Sequence, residues 1–290
     1  MRKKLFKIIS RLKRWLIKHS TDSRPSSEPY LSGDSFRKIS DYIYDETGKF
    51  DPTLVKKGQI IFLKSDLIED YFNQCHPKIN NPYKLITHNS DRNITSNELR
   101  WIDDKIIHWF AQNVTVEHPR LTPIPIGLEN KHYCQNGLIS LFDKLRQKVT
   151  IKKMRILYGF SVGTNPQERQ SALESLRKTP TADKIEGFPI PPKYLKELSL
   201  YSFVASPVGN GLDCHRTWEA MYLEVIPIVK KSIAMNYFGT ASLPLWTIDE
   251  WSELESLSEE NLAELAKKIR ERGNQSRIWF SYWKKLIQEA

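Results

Sequence analysis

The residues at 206–229 read SPVGNGLDCHRTWEAMYLEVIPIV, and their types and spacing suit the binding of an anion. Gly209 and Gly211 let a loop turn sharply and bring bare backbone N–H groups, with Ser206 and Asn210 beside them, close to a ligand. Asp213 is a candidate N-cap for a helix opening near Cys214, whose first turn carries His215 and Arg216. Unpaired N–H groups and the positive end of a helix dipole favour a negative group there, and the guanidinium of Arg216 adds a permanent forked charge suited to phosphate. Glu219 lies three residues after Arg216 and shares its helix face, so it can either pair with Arg216 or accept hydrogen bonds from ligand hydroxyls. Trp218 and Tyr222 read as core or base-flanking aromatics, Trp218 as core.

A second set of polar residues suits proton transfer. The apolar run at 83–87 delivers His88-Asn89-Ser90-Asp91-Arg92, and the extended run at 121–127 ends in Leu128-Glu129-Asn130. Asp91, Glu129 and His88 can each take a proton from a hydroxyl, while Asn89 and Asn130 can orient one. Asp91 is the first choice, although it reads equally as a cap for a helix near Ile94, and His88 reads as a satisfied histidine at the edge of the core. Thr164 and Arg169 sit in a third polar stretch, where Thr164 or Asn165 can cap a helix whose first residue is Pro166. Cys214 has no partner pattern. Asp-x-Asp, GxxxxGK[ST], GxGxxG and HExxH are all missing from the chain, so metal-bound diphosphate, triphosphatase, dinucleotide and zinc-protease readings lack their signatures.

The elements that position these residues alternate. Strands are expected at 59–63, 83–87, 111–117 and 121–127, then at 155–159, around Ile185, and at 201–205, 225–229 and 243–246. Helices are expected at 33–46, 66–75, 136–150, 166–176, 192–200, 258–272 and 276–290. This order gives an α/β chain with doubly wound sheets, and in such sheets ligands gather at strand carboxyl ends. The 290 residues accommodate two ordinary cores. We divide them into an amphipathic helix at 1–20, a polar linker at 21–29, an amino half at 30–150 and a carboxyl half at 151–290.

The formal charge is +10, but Arg2, Lys3, Lys4, Lys7, Arg11, Lys13, Arg14 and Lys18 precede the first acid, and without these eight the rest of the chain carries +2. That balance removes any general preference for nucleic acid. In the first 20 residues Leu5, Ile8, Ile9, Leu12, Trp15 and Leu16 recur at helical spacing among the basic residues, which suits an anionic membrane surface and is too short and too interrupted to span a bilayer. Three scattered cysteines fit reduced thiols on the cytoplasmic side of that membrane.

The run GNGLDCHRTWEAMYLEVIPIV resembles the carboxyl-half motif of exostosin-like glycosyltransferases, in which a charged helix start precedes a Trp-Glu-Ala core and an Ile/Val-Pro-Ile/Val strand. LSGDSFRK, THNSD, WFAQN, IPIGLEN and the T-N-P-x-E-R run are similar to the bacterial branch of that family, and together they cover most of 31–250. The helix is also distantly similar to the donor-binding helix of bacterial fucosyltransferases, with a basic residue where Arg216 stands.

The resemblance implies two facing Rossmann-like domains of GT-B type and inversion at the anomeric carbon. It places a nucleotide-sugar donor on the carboxyl half, with Thr164, Arg169, Ser206, Gly209, Asn210, Gly211, His215 and Arg216 around it and Glu219 on the ribose. A glycan or lipid-linked acceptor of surface polysaccharide biosynthesis then meets His88, Asn89, Asp91, Glu129 and Asn130. No metal or other cofactor is expected. The alternative is a non-catalytic, membrane-associated binding protein of the same fold. Relatives often carry Gly where this chain has Glu224, so a turn that needs positive φ is strained there.

Overall fold

The computed structural model describes residues 2–290 apart from Thr21, Val149 and Phe188; Met1 of the expected amphipathic helix, the first linker residue and one residue of the 136–150 helix lie outside the described residues. Helix α1 (Arg2–Lys18) precedes the amino half, which runs α2 (Gly33–Lys38), β1 (Tyr42–Tyr44), β2 (Ile60–Lys64), α3 (Ile68–Gln74), β3 (Tyr83–His88), β4 (Ile106–Ala111), β5 (Leu121–Pro123) and α4 (Ile139–Arg146). The carboxyl half runs β6 (Lys153–Tyr158), α5 (Pro166–Lys178), β7 (Ala182–Lys184), α6 (Pro191–Leu198), β8 (Tyr201–Ala205), α7 (His215–Tyr222), β9 (Ile226–Lys230), α8 (Ile233–Thr240), β10 (Trp246–Ile248), α9 (Glu259–Arg272) and α10 (Phe280–Glu289).

Each half holds one five-stranded sheet whose pairings are all parallel. Strands β3 and β8 are buried along their whole length, as expected for a parallel sheet covered on both faces. The second sheet has the order β10-β9-β8-β6-β7, with a topological switch between β6 and β8. The first runs β1-β2-β3-β4-β5 without reversal, so double winding holds for the carboxyl half alone. The whole is a two-domain, Rossmann-like α/β fold of the kind the resemblance implies.

Several expected elements differ: the strand expected at 243–246 lies later, at β10, and the one expected at 121–127 ends at Pro123. The helix expected at 33–46 stops at Lys38, because the aromatic, β-branched run of β1 pairs with β2 and the Asp41 carboxylate accepts from the Ile60 N–H at 2.8 Å. The strand expected at 111–117 lies earlier, at β4. Asn113 adopts φ 57°, a left-handed conformation that Asn tolerates, and this turns the chain out of the sheet.

The halves share one apolar core, in which Phe36 and Ile86 of the amino half join Trp218, Met221, Phe280 and Trp283. The final helix α10 packs back on the amino half. Its Phe280 ring meets Phe36 edge-on at 5.3 Å, and Lys84 Nζ donates to the Ile287 and Gln288 carbonyls at 3.0 and 2.7 Å, satisfying the last turn. Tyr222 is core rather than base-flanking. Its hydroxyl accepts from Leu31 N–H and donates to the Ile278 carbonyl.

Candidate active site

Two cavities of about 600 Å³ each open at the carboxyl ends of the two sheets. The carboxyl-half cavity lies at the switch between β6 and β8, where Gly159 and Phe160 follow one strand and the Gly209–Gly211 loop follows the other. That is the place where open α/β sheets bind ligands.

Helix α7 presents Arg216 and Glu219 to this cavity. Arg216 donates to the Gly159 carbonyl at 2.9 Å, which fixes its guanidinium across the switch point. Glu219 forms neither a hydrogen bond nor an ion pair among the described residues, and burial pushes its carboxyl up to about 7 even with Arg216 nearby. Tyr194, from α6, was missed by the sequence reading. Its buried hydroxyl has no partner among the described residues, and burial pushes it up to about 12 beside Arg216. Arg216 and Glu219 thus face one space, with the buried Tyr194 hydroxyl close beside the guanidinium.

The loop is built differently from the sequence expectation. Asp213 is not the N-cap; Cys214 occupies that position without a side-chain cap. The Asp213 carboxylate instead turns inward, where Oδ2 accepts from the Ile126 N–H at 2.8 Å and from Trp218 Nε1 at 2.7 Å, tying the halves together. Burial pushes this carboxyl up to about 7, and its Oδ1 has no partner among the described residues. Asn113 completes the tie: its Oδ1 accepts from the N–H groups of Leu212 and Asp213 at 3.0 and 3.3 Å.

Gly211 is required by that contact rather than by a left-handed turn, since a Cβ there would meet Asn113 Nδ2 at 2.8 Å. Gly209 N–H bonds the Gly211 carbonyl. The N–H groups of Gly209, Leu212 and Asp213 are thus engaged within the protein, which leaves Arg216 the larger share of any anion. Asn210 lines the cavity, as does Thr164, while Asn165 rather than Thr164 caps α5 and also holds the Gly209 carbonyl at 3.1 Å. Arg169 braces the loop by donating to the Val208 and Ser161 carbonyls at 2.9 and 3.0 Å. Ser206 lies outside the cavity. Its Oγ contacts Thr217 Oγ1 at 2.9 Å, locking β8 to α7.

The amino-half cavity is lined by His88, Asn89, Asp91, Glu129 and Asn130, with Tyr133 and His215 beside them. Its wall is internally bonded. Asp34, fully buried, takes a bidentate grip from Arg24, a bond from His132 Nδ1 at 2.8 Å and another from Asn89 Nδ2 at 3.3 Å. Burial alone would raise its carboxyl, but the hydrogen bonds from His132 and Arg24 and the Arg24 charge outweigh it and hold the group below the usual range. Asn130 joins in, accepting from Asp34 N–H and donating to Asn89 Oδ1. Asn89 stands at φ 61°, and Gly33 faces it so closely that a Cβ would lie 1.7 Å from Asn89 Oδ1.

His88 has both nitrogens engaged. Nε2 meets the Pro125 carbonyl at 2.9 Å and Nδ1 accepts from Asn89 N–H at 2.7 Å, and burial lowers its pKa to about 4. Glu129 accepts from Asn136 N–H and Nδ2 at 3.0 and 2.9 Å. Asp91 is exposed and lines both cavities. His215 was expected to neutralise phosphate, but burial lowers its pKa and keeps it uncharged near neutral pH.

No protein-family profile and no curated protein matches this chain. Similar solved structures include the spinosyn rhamnosyltransferase SpnG complexed with thymidine diphosphate, at 8% identity and a TM-score of 0.39 over 76% of this chain and 70% of that one. Another is a GtfA/B complex, at 10% identity and a TM-score of 0.36 over 81% of this chain and 58% of that one. At these scores the likeness adds no weight to the site, which stands on its own geometry.

Proposed function

We propose that this protein is a glycosyltransferase of GT-B architecture, metal-independent and inverting, that moves a sugar from a nucleotide-sugar donor to a lipid-linked or glycan acceptor. The observation that carries this reading is the carboxyl-half cavity, where Arg216 and the unpaired carboxylate of Glu219 meet at the β6/β8 switch. Arg216 takes the diphosphate, and its fixed charge stabilises the leaving group as the glycosidic bond breaks. Glu219 accepts the ribose hydroxyls. The acceptor enters through the amino-half cavity, whose prebuilt wall of Asn89, Glu129 and Asn130 orients it. The exostosin-like segments supply the expectation of inversion.

Helix α1 supports a membrane-borne acceptor on the cytoplasmic face. Ser10 is buried and Arg14 donates to the Tyr133 carbonyl at 3.1 Å, whereas Leu5, Ile8, Ile9, Leu12, Trp15 and Leu16 all face outward. Tyr133 also lines the amino-half cavity, so a membrane under α1 lies beside the acceptor entrance. Among the described residues no helix is long and apolar enough to cross a membrane.

Thermal unfolding with UDP, GDP, dTDP or CMP tests the donor half of the proposal. At 100 times its dissociation constant one of them stabilises the fold by about 2.7 kcal/mol. Sedimentation with vesicles tests the other half: binding to anionic but not zwitterionic vesicles, lost on deleting residues 1–20, is expected. No stabilisation by any nucleotide would contradict the reading.

A further inference from the structure

Three residues line both cavities: Asp91, Ile126 and His215. His215 is the one whose base form is set by the fold. Its Nδ1 meets the Gly127 carbonyl at 2.8 Å. Gly127 stands at φ +67°, where a Cβ would lie 2.4 Å from the Leu31 carbonyl oxygen, so the backbone that presents this carbonyl is fixed. A carbonyl can only accept; Nδ1 therefore carries the hydrogen, and the neutral ring keeps its lone pair on Nε2. Nε2 has no partner among the described residues.

The other candidate bases are less suited. Both oxygens of Glu129 accept from Asn136, and both nitrogens of His88 are bonded within the protein. Asp91 is exposed at the junction.

We propose that Nε2 of His215 receives the acceptor proton in the transfer. The acceptor oxygen bonds the anomeric carbon, the bond from that carbon to the diphosphate oxygen breaks with its electron pair remaining on the nucleoside diphosphate beside Arg216, and the hydroxyl proton moves to Nε2. The titratable groups facing the ring are Asp91, Glu129 and His88. The two carboxylates stabilise the imidazolium as it forms, while burial keeps the ring neutral beforehand. Asp91 becomes a positioning residue for that charge. This assignment rests on the donor-site reading.

The test uses the full chain, a panel of UDP-, GDP- and dTDP-sugars, and water as acceptor, with released nucleoside diphosphate as readout. His215→Asn keeps an N–H for the Gly127 carbonyl and removes the base; His215→Gln is the second variant. Both should lower hydrolysis by about 100-fold or more while nucleoside diphosphate affinity, measured separately, stays within about threefold. The acidic limb of the pH–rate profile should disappear with them. Asp91→Asn should lower the rate by about tenfold and move that limb to lower pH, because a charge that favours the imidazolium is gone. Unchanged hydrolysis and an unchanged limb in both His215 variants would overturn the assignment, as would loss of hydrolysis confined to Asp91→Asn. A chain that binds a nucleoside diphosphate but hydrolyses no sugar nucleotide also overturns it. A chain that binds no nucleotide overturns the donor reading instead.

Discussion

The two cavities are similar in volume, about 600 Å³ each, and differ in construction. On the amino side Asp34, Asn89, Asn130, His132 and Arg24 bond one another, and Glu129 bonds Asn136, so most of the wall is bonded before any ligand arrives, with Gln112 Oε1 a buried acceptor left without a partner among the described residues. On the carboxyl side the Glu219 carboxylate is buried with open hydrogen-bonding capacity, and Arg216 is held by the Gly159 carbonyl beside the Tyr194 hydroxyl. Satisfied polar networks give shape and rigidity, whereas buried groups left open disfavour the empty state and mark where a ligand must supply the partner. Substitutions in the amino wall should therefore cost stability, and those in the carboxyl cavity should cost affinity.

The largest expected effect falls on the tie between the halves. Asp213→Ala leaves the Ile126 N–H and Trp218 Nε1 buried without partners and should lower unfolding stability by about 3 kcal/mol in denaturant titration. Gly33→Ala comes next, at about 2 kcal/mol, because its Cβ overlaps Asn89 Oδ1 within a packed network. If that variant loses nucleotide affinity with stability intact, the comparison between the cavities breaks.

Glu219→Gln should weaken nucleotide binding by about 1.5 kcal/mol and abolish any preference for ribose over 2′-deoxyribose, read by calorimetry. It should not destabilise the fold. Glu219 and Asp213 are both pushed up to about 7 from ordinary carboxyl values, so the native state holds more protons than the unfolded chain between about pH 4 and 7. Wild-type stability then falls as pH rises through that window, and Glu219→Gln or Asp213→Asn should each remove part of the slope. The smallest effect is at Glu224. Glu224→Gly should stabilise the fold by about 1 kcal/mol by relieving a non-glycine residue at φ 57°.

That last position was flagged by the resemblance alone, whose members often carry Gly there, since Glu gives no local sign of the Schellman ending it closes. Val225 N–H bonds the Ala220 carbonyl and Glu224 N–H bonds Met221, which demands a left-handed residue between. The strand-loop-helix-strand unit around α7 was legible from the residues themselves, being contiguous and strongly periodic. The expected cap at Asp213 failed because its carboxylate is claimed by Ile126, 87 positions away. Asn113 reaches Leu212 across 99 positions, a contact that neither its place in the expected 111–117 strand nor the WFAQN segment announces. Tyr194 gave no signal, since a tyrosine on an amphipathic helix reads as ordinary packing. Local conformation follows from neighbouring residues, whereas the meeting of two halves depends on contacts that no spacing records.

The central claim is that Arg216 at the β6/β8 switch binds the donor diphosphate. Its most direct test is calorimetry of wild type and Arg216→Ala with a nucleoside diphosphate and the matching nucleoside. The diphosphate should bind wild type more tightly than the nucleoside by about 3 kcal/mol, roughly a hundredfold, and most of that advantage should vanish in the variant. An equal diphosphate advantage in both proteins would contradict the account.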